Sequence, residues 1–175
     1  NPTPTSLDPR RIRWSAACLL LALGGTGRAE DAPAKTIAAI VTEYRTNSHA
    51  DVIVSRLLQT DTLDGKGRVL PMKLVSIYTD QTPANDISRG LAATHHVPIK
   101  STIADAITLQ TGKTAVEGIL LVAEHGDYPF SPTGNRQYPK RRLWDETIKV
   151  FRESGRVVPV FIDKHLSDNW TDAKH

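Results

Sequence analysis

Cysteine is almost absent from this chain, which has a single one, Cys18, among 175 residues. It lies inside the apolar run 14–23, close to the N-terminus. The rest of the chain therefore has no disulfide framework and no thiolate that could act as a nucleophile or metal ligand. Long apolar runs are also missing, because the run 14–23 is too short to cross a bilayer as a helix.

The N-terminal segment has the features of a secretory signal. Arginines precede the apolar run, and Gly27 and Ala29 provide the small residues that suit cleavage after Ala29. We therefore predict that residues 1–29 are a signal peptide, read by the general secretory or the twin-arginine route. The mature protein is expected to be periplasmic or extracellular, without a membrane partner.

An excess of charge is missing once this leader is set aside. The leader holds four of the 22 basic residues and one of the 19 acidic residues, so 18 of each remain. A balanced chain gives no electrostatic reason to expect nucleic acid as a partner. We predict a short linker at 30–34, followed by one domain over 35–175 that acts on a small molecule.

Glycine is missing from the turn after the first predicted strand, 36–41. The turn, 42–47, leads into a helix whose first N–H groups are capped by Ser48, with Asp51 three residues later. A strand, a turn and a helix begin a dinucleotide-binding fold, but the glycines that let the backbone approach a pyrophosphate are absent. Glu43 and its neighbours would crowd and repel that group, whereas Arg45 could bind a phosphate through its side chain.

Apolar segments alternate with helical patterns along the rest of the chain. The predicted strands are 36–41, 72–78, 97–99, 116–123 and 157–162, and helices are expected after Ser48, Thr82 and Thr102 and over 140–154. This alternation predicts an α/β fold with a doubly wound, mainly parallel sheet of Rossmann type, in the order 3-2-1-4-5, with helices on both faces. The loops after strands 1, 4 and 5 are then expected to meet at one edge.

Polar side chains follow those three strands, in the segments 42–49, 124–128 and 163–165. Any soluble domain of this type has polar strand ends, but mixed imidazole and carboxylate groups also suit zinc or manganese. The candidate metal ligands are Glu124, His125, Asp127, Asp163 and His165. His49 could approach them from strand 1, and Lys164 would then hold the substrate of a metal-dependent hydrolase.

Two basic clusters are expected to be solvated surface groups, with an anion contact as the alternative for the first of them. Lys140, Arg141 and Arg142 open the last predicted helix, where cations are disfavoured by the helix dipole. His95 and His96 close an earlier helix, where the dipole favours them.

Segment 155–167 resembles part of the Gfo/Idh/MocA oxidoreductase family, in which Gly-x-x-Val leads through an apolar strand into Glu-Lys-Pro-Leu-Ala. Asp163, Lys164 and His165 stand here for Glu-Lys-Pro. The resemblance extends as a pattern over 35–167. In that family the lysine lies beside the nicotinamide and the substrate, where it helps proton transfer during hydride exchange.

This resemblance implies a divergent NAD- or NADP-dependent oxidoreductase acting on small, sugar-like substrates. Lys164 would be the main catalytic residue, with Asp163 and His165 beside it. The corresponding cofactor-binding positions are Thr42, Tyr44, Arg45, Asp80, Glu124 and His125, with Asp80 at the adenosine ribose. A further domain beyond residue 175 would supply substrate contacts and a homo-oligomer interface.

Two alternatives to the oxidoreductase remain open at this stage. One is the metal-dependent hydrolase, and the other is a non-catalytic ligand-binding module on the same scaffold. The conformation of the turn after strand 1 separates them from the oxidoreductase. If Glu43, Tyr44 and Arg45 fill the pyrophosphate position, the alternatives gain support.

Overall fold

A parallel five-stranded sheet organises the computed structural model, which describes residues 33–62, 64–165, 167 and 169–174. The strands are β1 (Lys35–Val41), β2 (Met72–Thr79), β3 (Ile99–Lys100), β4 (Gly118–Val122) and β5 (Val160–Asp163). The helices are α1 (His49–Leu58), α2 (Ser88–Thr94), α3 (Ile103–Thr108), α4 (Lys140–Ser154) and α5 (Trp170–Lys174). The predicted signal peptide lies outside the described residues.

The strand order is β3-β2-β1-β4-β5, and every neighbouring pair is parallel. This confirms the predicted Rossmann-like α/β fold and its strand order. None of the helices in the described residues has the length and apolar character that a membrane span requires.

Burial on both faces explains why the central strands are apolar throughout. Ala38 and Ile40 of β1 belong to the core beneath α3 and α4, together with Leu143. Ala39 and Val41 point to the opposite core, which contains residues of α1 and α2. Successive strand residues face opposite sides of the sheet. A strand covered by helices on both sides is therefore buried at every position, which favours apolar residues throughout.

Two helix starts follow the predicted capping pattern. The Ser48 hydroxyl accepts a hydrogen bond from the Asp51 N–H at 3.2 Å, and the Thr102 hydroxyl accepts one from the Asp105 N–H at 3.0 Å. These contacts satisfy N–H groups that have no partner inside the helix. The local sequence therefore fixes where α1 and α3 begin.

The predicted helix start at Thr82 is wrong, because α2 begins only at Ser88. Pro83 lies instead in a turn whose carbonyl accepts from the Asp86 N–H at 2.9 Å. Asp86 also forms a bridge with Arg45, and the Ile87 N–H donates to the Tyr44 carbonyl at 2.8 Å. This segment pairs with the turn after β1, and that long-range pairing overrides the local capping signal.

The two edge strands begin later than predicted, and prolines explain both shifts. β3 starts at Ile99 and β5 at Val160, each directly after a proline that has no N–H to donate. The carbonyls of Pro98 and Pro159 still accept hydrogen bonds, from Ile77 and Ile119 respectively. β5 also ends one residue later than predicted, at Asp163, which places this carboxylate at the carboxyl edge of the sheet.

Candidate functional site

The turn after β1 is closed by side chains. Tyr44 is fully buried in the core with α1 and α2, and its hydroxyl lies 2.7 Å from the Ser55 hydroxyl. Burial raises the pKa of Tyr44, so the phenol stays protonated. Thr42 is also fully buried and donates its hydroxyl to the Glu124 carbonyl at 2.6 Å. The space after β1 is therefore occupied by the chain itself.

Arg45 is also occupied within the molecule. Its guanidinium forms an ion pair with Glu43, which is buried. One guanidinium nitrogen, Nη2, lies 3.3 Å from Nδ1 of His125. The cation that could have received a phosphate is thus partly neutralised and held towards the loop after β4.

His49, His125 and Asp163 come together as a group that we name the histidine cluster. Nδ1 of His49 lies 2.6 Å from the Asp163 carboxylate, and the rings of His49 and His125 meet edge to face at 5.1 Å between centroids. Arginine can only donate, so Nδ1 of His125 accepts from Arg45 and its proton resides on Nε2. That buried Nε2 has no hydrogen-bond partner among the described residues.

His125 remains neutral near neutral pH. Burial lowers its pKa, and the charge of Arg45 lowers it further. The residue also has a left-handed backbone, with φ of 67°, and Gly126 follows with φ of 114°. Glycine is required there, because an added Cβ would lie 2.5 Å from the Tyr128 ring.

A buried ion pair forms at the start of α4, and we name it the Lys140 pair. Lys140 is 7% exposed, and its ammonium lies 3.0 Å from the Glu124 carboxylate. Nε2 of His165 lies 3.4 Å from the same ammonium. The expectation that Lys140 is a solvated surface group is wrong, because tertiary contact with Glu124 and His165 removes it from water.

Asp80 is saturated by hydrogen bonds at the end of β2. It accepts from the hydroxyls of Tyr78 and Tyr128 and from the Arg142 guanidinium, each at 2.7 Å. Partial burial acts to raise the pKa of Asp80, but the hydrogen bonds from Tyr128, Arg142 and Tyr78 outweigh it and lower the pKa. The carboxylate predicted to meet an adenosine ribose instead joins β2, the loop after β4 and α4.

We expect Asp80→Asn to reduce the loss of stability in acid. A carboxyl whose pKa is lowered by folding contributes stability above its unfolded pKa of about 4, and this contribution disappears as the pH falls through the folded value. Chemical denaturation at about pH 7 and about pH 3 should therefore show a smaller difference for Asp80→Asn than for the wild type. Tyr128→Phe removes one hydrogen-bond donor to Asp80 and should give an intermediate difference in stability between the two pH values. Equal differences in all three proteins would contradict the conclusion that these hydrogen bonds lower the pKa of Asp80.

The remaining predicted site residues do not join these groups closely. Asp127 is fully exposed at its side chain and pairs with Arg136 at 3.3 Å. Lys164 follows β5, is exposed and has a left-handed backbone with φ of 77°. Among the residues that the structure describes, no three histidine, cysteine or acidic side chains lie in an arrangement that could hold a metal ion. Of the five predicted metal ligands, His125 and Asp163 lie in the histidine cluster, Glu124 and His165 contact Lys140, and Asp127 is exposed.

A polar cleft of about 850 Å³ lies between the loop after β4, the start of α4 and the segment after β5. Residues of the Lys140 pair line it, as does His165. The other polar and aromatic groups on its surface include Phe130, Asn135, Arg136, Gln137, Tyr138 and Arg141. The turn after β1 contributes no residue to this lining.

Sequence reasoning missed this cleft and most of its lining. The unusually long segment between β4 and α4 was one available signal, because long loops in compact domains are often functional. A second signal was the row of cations at the start of α4, since cations at a helix N-terminus need acidic partners. Arg142 contacts Asp80 at 2.7 Å, and Lys140 contacts Glu124 at 3.0 Å.

Comparison of the chain with known protein families, with curated proteins and with solved structures finds no match. The fold and the geometry of the carboxyl edge are therefore the basis on which a function can be proposed.

Proposed function

We propose that this domain binds a small, neutral, sugar-like molecule in the cleft beside α4, without a nucleotide cofactor. The observation that carries the proposal is the Lys140 pair, because both of its members are withdrawn from water and line the cleft. A buried ion pair gains little net stability, since desolvation offsets the attraction between its charges. Its position beside an open polar cleft is better explained by ligand contact than by folding.

The charges around the cleft favour a neutral ligand. Arg136 pairs with Asp127, and Arg141 pairs with Asp145 and more loosely with Asp172. Since Lys140 is also paired, each of these cations already has an acidic partner. Such paired groups can still donate and accept additional hydrogen bonds, as the adjacent hydroxyls of a sugar require.

Two further features suit a polyhydroxylated molecule. Asn135 and Gln137 bring side-chain amides, each of which both donates and accepts. Phe130 is 60% exposed, and the Arg136 guanidinium lies 4.0 Å from its ring centroid. An exposed ring beside amide and charged groups can cover the apolar C–H face of a sugar while the polar groups bind its hydroxyls.

The turn after β1 supports binding without a nucleotide. A dinucleotide site needs free backbone N–H groups and space at this position. Here Tyr44 is fully buried, and Arg45 is held by Glu43 and His125. The oxidoreductase remains a second candidate because Lys164 does follow β5 at the carboxyl edge, as the resemblance implies.

Titration calorimetry with glucose, galactose, xylose and myo-inositol tests the proposal, with NADH and NADPH titrated in parallel. We expect at least one neutral compound to bind and the nucleotides not to bind. Asn135→Ala should weaken binding by about tenfold, which corresponds to one lost hydrogen bond. Asn85→Ala, at an exposed amide outside the cleft lining, is the matched control and should bind normally.

Two results would contradict the proposal. One is the absence of binding by every neutral compound at millimolar concentration. The other is tight binding of NADH that is lost in Lys164→Ala, which would favour the oxidoreductase function over sugar binding.

A further inference from the structure

The histidine cluster lies at the same sheet edge but does not line the cleft, so what it can do is independent of sugar binding. We propose that His49 and Asp163 form a general-base dyad that hydrolyses carboxylic esters. Three features carry this proposal: the contact between the two side chains, the exposure of His49 and the neutral surroundings that His125 provides.

The contact with Asp163 fixes the tautomer of His49. An ionised carboxylate can only accept, so at 2.6 Å it holds the imidazole proton on Nδ1. Nε2 then carries the lone pair, and it has no hydrogen-bond partner in the described part of the chain. The side chain of His49 is 34% exposed and that of Asp163 16%, so the base can reach solvent while its orienting carboxylate is mostly covered.

The surroundings allow a positive charge to form on His49 during a reaction. His49 is the first residue of α1, where the helix dipole opposes a cation, but the Asp163 carboxylate compensates. His125, whose ring contacts His49, is held neutral, and Arg45 behind it is paired with Glu43. Asp51, in the first turn of α1, adds a second negative charge on the same helix.

The reaction is a balanced hydrolysis. Nε2 of His49 takes a proton from a water molecule as the water oxygen bonds to the ester carbonyl carbon, which gives a tetrahedral intermediate. The intermediate collapses as the carbon–oxygen bond to the alcohol breaks, and the imidazolium returns its proton to the departing oxygen. The products are one carboxylic acid and one alcohol, while Asp163 keeps its negative charge and stabilises the imidazolium.

Hydrolysis of p-nitrophenyl acetate by the purified protein tests the dyad. We expect His49→Ala and Asp163→Asn each to lower the rate at neutral pH at least about tenfold, within the range of general-base contributions. His95→Ala is the matched control, because His95 caps the C-terminal end of α2 and has no contact with the cluster among those of the described residues, and its rate should equal that of the wild type. Circular dichroism and thermal unfolding establish that each variant is folded.

A second measurement uses only the wild-type protein and so does not depend on folding of the variants. The protein-dependent rate should be lower in D₂O than in H₂O, because the base removes a proton from water in the step that forms the tetrahedral intermediate. Rates in His49→Ala or Asp163→Asn equal to that of the wild type would overturn the proposal. Equal protein-dependent rates in the two solvents would also overturn it, since a His49–Asp163 contact that only joins α1 to β5 would move no proton during the reaction.

Discussion

Replacing Tyr44 with alanine is expected to lower the free energy of unfolding by about 3–5 kcal/mol, the range for removing a large buried aromatic side chain. The phenol is fully buried between β1, α1 and α2, and truncation would leave a cavity that the surrounding strands cannot close. Urea denaturation of the wild type and the variant measures the difference.

Tyr44→Phe separates the packing of the ring from its hydrogen bond. This variant should lower the free energy of unfolding by only about 1 kcal/mol, because the Ser55 hydroxyl keeps a second hydrogen-bond partner after the phenol oxygen is removed. That partner is Asp51, whose carboxylate accepts from Ser55 at 2.8 Å. Trp170→Ala is the exposed aromatic control, since Trp170 is 79% exposed, and it should change stability very little. A small loss of unfolding free energy in Tyr44→Ala would contradict the conclusion that the Tyr44 side chain fills the turn after β1 and packs in the core.

Replacing Lys140 with methionine is expected to lower the free energy of unfolding by about 3 kcal/mol and to abolish ligand binding in the cleft. Methionine keeps most of the side-chain volume but leaves the Glu124 carboxylate without the ammonium that now lies 3.0 Å away. That carboxylate is only 16% exposed, so water can replace the lost partner only in part. Urea denaturation and calorimetric titration of the same preparation measure the two effects.

The double variant Lys140→Met/Glu124→Gln distinguishes an unpaired charge from lost packing. It should recover much of the stability, because no buried charge is left without a partner, but it should not recover ligand binding. Lys149→Met is the matched control, since Lys149 is exposed on the same helix and its contact with Glu153 is 3.8 Å long. A double variant no more stable than Lys140→Met would contradict the conclusion that the unpaired Glu124 carboxylate causes the loss of stability.

Sequence patterns predicted the fold correctly where the signal lies within a few neighbouring residues and no long-range contact competes with it. Ser48 and Thr102 fixed two helix starts through contacts within one turn of the chain. Thr82 carried a similar signal and was wrong, because the segment up to Ile87 pairs with the turn after β1. Two prolines delayed the edge strands without changing the strand order.

The site was harder to predict because its important contacts are long-range. Polar groups were correctly expected to meet at the carboxyl edge, and the contact between His49 and Asp163 joins residues 114 positions apart. The burial of Lys140 could not be predicted from its neighbours Arg141 and Arg142, whose side chains are 41% and 44% exposed. It depends on Glu124, which belongs to the loop after β4.

The role of Lys164 stays a prediction. The resemblance to the oxidoreductase family rests on the residues around it, and the structure places it directly after β5. The residues expected to hold the cofactor have internal partners instead: Asp80 contacts two tyrosines and Arg142, and Thr42 contacts the Glu124 carbonyl. A strand end can thus resemble a catalytic segment while the turn after β1 is filled by buried side chains of the chain itself.

The most direct measurement is a pair of titrations followed by ¹H–¹⁵N NMR, one with the neutral sugar that binds best and one with NADH. Binding in the cleft predicts that the sugar shifts the amide signals of 124, 135–138, 140, 141 and 165, residues that line or adjoin the cleft. NADH should leave the signals of 42–48 and Asp80 unchanged. Shifts of those signals by NADH, with none in the cleft from any sugar, would contradict binding without a nucleotide.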